Sequence, residues 1–69
     1  MVLNATAIDR DTLRLRNEFL EMPGLVVTIP QAARLFGVRL DRAGEMLAQL
    51  ECEGFLKHDN AGFYRRRFD

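Results

Sequence analysis

Ile8, Thr12, Leu15, Phe19 and Met22 recur at helical spacing, which predicts a first helix from Asp9 to Met22. Asp9 is placed to cap it, and Pro23-Gly24 ends it. Leu13 and Leu20 fall on a second face of the same helix, one that a minimal core leaves uncovered. The short β-branched run Leu25-Val26-Val27 is too brief for a helix and suits a small strand. Thr28-Ile29-Pro30-Gln31 then carries a capping box: the threonine side chain can accept from the backbone of Gln31 while the glutamine reaches back, and Val27 can staple against Ala32. Proline in the first turn has no donor to lose. Ile29, Ala32, Ala33 and Phe36 form the apolar stripe of this second helix, Gly37 is placed to stop it in a left-handed conformation, and Val38 re-enters the core.

A third helix is expected to start at an Asp41 cap and run to about Glu53, with Ala43, Met46, Leu47 and Leu50 inward and Gly54 just past its end. Phe55 to His58, the loop Asp59 to Gly62, and Phe63 to Phe68 read as a β-hairpin. The predicted order is α-β-α-α-β-β, an α+β fold in which residues 1–8 form an N-terminal extension and residues 9–69 the domain.

Length makes stability depend on this pattern being well packed. A chain of 69 residues buries only about 60% of its unfolded surface. A lone cysteine, Cys52, excludes an internal disulfide, and a single histidine, His58, excludes the usual four-ligand zinc site, so no metal or cofactor is expected. The opening residues lack the basic start and apolar stretch of a signal peptide, and no apolar run approaches bilayer length, so a cytoplasmic protein without a membrane partner is expected. No nucleophile–base pair, phosphate-cradling glycine loop or carboxylate pair can be assembled from the motifs, so no enzymatic activity is expected.

The segment Gln31-Ala32-Ala33-Arg34-Leu35-Phe36-Gly37-Val38, with Ala43 and Met46 beyond it, resembles the helix-turn-helix of small bacterial winged helix-turn-helix DNA-binding domains. In that family a small residue stands four before the turn glycine, an apolar one follows the glycine, and core positions recur six and nine residues after it. Ala33, Gly37, Val38, Ala43 and Met46 fill those places. The physical demand is close approach: two helices crossing over a tight turn need alanine at the contact and glycine at the bend. Phe19 to Leu25 is also similar to the exit of the first helix in such chains.

The resemblance implies double-stranded DNA as partner, with the third helix in the major groove and the C-terminal wing on phosphates. It nominates Arg39, Arg42, Glu45 and Gln49 on or beside the third helix, Thr28, Gln31 and Arg34 at the second helix, and Lys57, Arg65, Arg66 and Arg67 in the wing. Charge changes this picture. Ten basic residues balance ten acidic ones, whereas nucleic-acid binders usually carry a net basic surface. With Ala43 and Leu47 inward, the third helix turns Asp41, Gly44, Glu45, Ala48 and Cys52 outward, and Asp41 and Glu45 would face a polyanion. Glu45 can instead pair with Arg42 or Gln49, or accept from cytosine. Strand alternation puts Arg65 and Arg67 on the solvent side and Arg66 with Tyr64 and Phe68. An alternative therefore stands beside DNA binding: a winged helix used for protein contact or homodimerisation, through Leu13 and Leu20 together with Val2, Leu3 and Ile8.

Overall fold

The computed structural model describes residues 9–68; the N-terminal extension, with Val2, Leu3 and Ile8, lies outside the described residues, as does Asp69. Helix α1 spans Arg10–Glu21, strand β1 Val26–Val27, helix α2 Ile29–Phe36, helix α3 Leu40–Cys52, strand β2 Leu56–His58 and strand β3 Tyr64–Arg66. The strands make one antiparallel sheet in the order β1-β3-β2. The fold is α+β, as the residue pattern predicts.

Local chemistry explains each boundary. Asp9 is extended and its Oδ1 accepts from the Thr12 N–H at 2.8 Å, which starts α1. The helix closes at Met22, and Leu25 N–H donates to the Met22 carbonyl at 2.8 Å across the Pro23-Gly24 turn. Both halves of the capping box form at α2: Gln31 N–H to Thr28 Oγ1 at 3.3 Å, and Thr28 N–H to Gln31 Oε1 at 2.9 Å. Gly37 ends α2 at φ 63°, and the Val38 N–H donates back to the Ala33 carbonyl at 3.0 Å. A Cβ at Gly37 would meet nothing within 4 Å, so Gly37→Ala is opposed by backbone conformation rather than by crowding. We expect it to cost about 1 kcal/mol, measured as a lower urea midpoint with an unchanged slope.

Three expectations are corrected. Asp41 does not cap α3: the N-cap is Arg39, which makes no side-chain capping bond. Two residues, Val38 and the extended Arg39, separate the left-handed Gly37 from the helix, which starts at Leu40, and Asp41, inside the first turn, accepts from the Arg42 N–H at 2.8 Å. Met22, expected on the buried stripe, is 45% exposed because α1 has already ended. Gly44, expected to face outward, is half-buried against α2; a Cβ there would lie 3.6 Å from Ile29 Cδ1.

α3 is the hub, packing on α1, α2 and β2. Its Ala43, Met46, Leu47 and Leu50 are fully buried with Leu15 and Phe19 of α1 and Leu56 of β2, while Ala32 and Ala33 bring α2 close. Phe19 meets Phe55 edge to face, ring centres 6.4 Å apart. The cross-strand register places Val27, Tyr64 and Leu56 on the covered face of the sheet and Val26, Arg65 and Lys57 on the other.

Candidate nucleic-acid interface

Four of the five residues expected on the outward face of α3, Asp41, Glu45, Ala48 and Cys52, are exposed. Arg39 stands at the head of the helix with its side chain 86% exposed, its Nε 3.3 Å from Asp41 Oδ1. Arg39 supplies no capping oxygen to the first backbone N–H groups of α3; of these, the Arg42 N–H is taken by Asp41.

Arg42 is drawn elsewhere. Its guanidinium lies 2.6 Å from Asp9 Oδ2, with Asp11 at 4.0 Å and Glu45 at 3.9 Å. The hydrogen bond from Arg42, helped by the Thr12 N–H, lowers the Asp9 carboxyl to about 2, and Asp9 raises Arg42 in turn. This cluster fastens the start of α1 to the start of α3, so Arg42 acts within the domain. Glu45 does pair with Arg42, while Gln49 is half-buried.

On the second helix, Thr28 and Gln31 are engaged in each other's capping bonds, and Arg34 is exposed in the last turn. Gln31 and Arg34, three residues apart, share one side of a short helix.

The hairpin separates its cations. Lys57 and Arg65 stand directly opposite each other on the outer face of the sheet. Both line two depressions: one of about 360 Å³ with His58 and Asp59, and one of about 280 Å³ with Pro23, Gly24, Leu25, Val26, Arg66 and Phe68. Like charges directly across a pair of strands repel, and Asp59 relieves only one of them, its Oδ2 lying 3.1 Å from Arg65. Asp59 Oδ1 accepts the N–H groups of Ala61 and Phe63, each at 3.0 Å, so the hairpin tip is built around a carboxylate. The Phe63 and Ala61 amides and Arg65 hold that carboxyl below its usual range.

Arg66 is on the covered face, as alternation implies. Its guanidinium lies 4.2 Å from the Phe55 ring centre and 5.0 Å from that of Phe68, and its Nε is buried without a hydrogen-bond partner. Arg16 of α1 approaches the same Phe55 ring at 4.9 Å. Arg67 is exposed, and its N–H donates to the Phe55 carbonyl at 3.0 Å.

No protein-family model, no curated protein and no solved structure matches this chain. Any functional assignment therefore rests on the side chains themselves.

Sequence pattern misses two further contacts. His58 Nδ1 lies 2.6 Å from Glu51 Oε2 and its ring stacks on Tyr64 at 4.9 Å, tying the end of α3 to the hairpin. Burial, then the Glu51 charge, raises the Tyr64 hydroxyl. Only the seven-residue separation of Glu51 and His58 across the Gly54 turn could have signalled the pair. Cys52 is exposed, as expected for a residue opposite the core stripe. Among the described residues no helix is long and apolar enough to cross a membrane.

Proposed function

We propose that this chain is a winged helix-turn-helix DNA-binding module of the regulatory or architectural kind, with α3 in the major groove and the hairpin on neighbouring phosphates. The observation that carries this reading is the open head of α3. It is entered by a short glycine turn, lacks an N-cap side-chain bond, and carries the exposed Arg39 at its first turn. A helix start of that kind attracts phosphate through its N–H groups and its dipole. Arg34, Lys57 and Arg65 add exposed or half-exposed cations, and Glu45 and Ala48 are left as the groups that meet base edges.

Fluorescence anisotropy with a random-sequence duplex over a salt series tests this reading. Contacts from Arg34, Arg39, Lys57 and Arg65 give a slope of log affinity against log salt of about −3 to −4. Asp41→Asn removes a carboxylate from the phosphate path and is expected to tighten binding severalfold, whereas Arg39→Ala with Lys57→Ala weakens it and flattens the slope by about 2 units. Absence of binding at low salt across the pool, or indifference to these substitutions, overturns the reading.

A second reading, a winged helix that contacts protein and not DNA, draws support from the internal use of Arg42 and Arg66, which reduces the cationic surface. A flat anisotropy titration favours it.

A further inference from the structure

We propose that α1 is a homodimerisation helix, pairing antiparallel with α1 of a second copy about a two-fold axis near Asn17. Arg10, Leu13, Asn17, Leu20 and Glu21 lie on one side of the helix, and all five are exposed; Leu13 and Leu20 are 45% and 44% exposed. No other element of the described domain covers this side.

The charges point to the occupant. Arg10 opens α1 and Glu21 closes it, and among the described residues neither has an ion-pair partner. Both run against the helix dipole, which favours acid at the start and base at the end. Each is therefore mildly unfavourable in the isolated domain.

An antiparallel second copy reverses both penalties. With the axis between residues 16 and 17, Leu13 meets Leu20 of the partner subunit and Leu20 meets Leu13 of the partner subunit. Arg10 comes to the level of Glu21 of the partner subunit with an offset along the axis of roughly 3 Å, which these long side chains span. The operation makes each contact twice, as an isologous interface requires, and leaves Asn17 beside its own symmetry mate, where an amide can both donate and accept. Arg14 and Arg16, on the shoulders of the face, are held over Phe36 and Phe55 of their own domain and leave the seam clear. A chain of zero net charge has no global repulsion between copies.

One helix pair falls short of the ~1,000 Å² typical of tight complexes, so association is weak and concentration-dependent. Sedimentation equilibrium of the whole chain, from micromolar to millimolar, is expected to show monomer passing to dimer and no larger species. Arg10→Glu alone and Glu21→Arg alone each set like charges together twice and are expected to weaken the dimer about tenfold or more. The double swap Arg10→Glu with Glu21→Arg restores it. Each single change also moves a charge to the side the dipole prefers, so loss of fold cannot account for loss of association; far-UV circular dichroism checks this. A strict monomer at millimolar concentration, or a double swap no better than the single changes, overturns the proposal. No DNA enters the measurement, so its outcome is independent of the DNA reading.

Discussion

Phe19→Ala is expected to lower the melting temperature by at least about 12 °C. Phe19 is fully buried at the junction of α1, α3 and the turn into β2, with Phe55 edge-on against it. Truncating such a ring costs about 3–5 kcal/mol, and a domain of this size holds only about 3–10 kcal/mol in total. The loss spreads beyond the cavity. Phe55 is the platform for the Arg16 and Arg66 guanidiniums, and Arg66 already buries an unpartnered Nε. When Phe55 tilts into the space left by Phe19, both stacks loosen. Leu20→Ala, one residue along the same helix, removes a side chain 44% exposed and is expected to change stability by less than about 0.5 kcal/mol in the monomer. Thermal melts of the two variants side by side check the contrast. A Phe19→Ala domain melting within a few degrees of its parent would remove this residue from the core.

Asp9→Ala is expected to cost about 1–2 kcal/mol at neutral pH, most of it from the lost cap. Asp9→Asn keeps an acceptor for the Thr12 N–H and gives up the ion pair with Arg42, whose worth is held below about 1 kcal/mol by solvent, since the Asp9 side chain is 46% exposed. Acid distinguishes the two contributions. The folded Asp9 carboxyl titrates at about 2, below the ordinary 3.8, so the native state binds this proton less readily than the unfolded chain. The stability it confers is therefore complete above roughly pH 4 and is lost as pH falls towards 2. Asp59, also lowered, acts in the same direction. Urea unfolding at neutral pH and through this acid window should show a smaller acid loss in Asp9→Asn than in the parent. Equal losses would mean that the Arg42 contact does not stabilise the fold.

What the residues reveal in advance and what they conceal divide by distance along the chain. The Asp9 cap, the Thr28–Gln31 box, the left-handed Gly37 and the hairpin depend on partners within a few residues, so side-chain chemistry alone locates them. The N-cap of α3 lies two residues before the Asp41 cap that side-chain chemistry predicts, because the backbone after the turn, not a capping carboxylate, decides where the helix resumes. The candidate site fared worse for the same reason. Arg42 is committed to Asp9, 33 positions earlier, and Arg66 to the ring of Phe55. Whether a cation faces outward or is held by its own domain is a tertiary fact, and spacing carries no record of it.

The strand order has a consequence for how the chain is made. Among the described residues β3 is the last of six elements in chain order but the middle strand of the sheet, bonded to β1 on one side and β2 on the other. Until residue 66 has been synthesised, β1 has no partner, the hairpin has only one arm, and Tyr64 cannot close over the core. The three helices can form early from local bonds, but the cooperative step waits for the final strand, a non-local closure of the kind that slows folding. On a translating ribosome the sheet therefore cannot be completed, nor Tyr64 laid over the core, before β3 has left the exit tunnel.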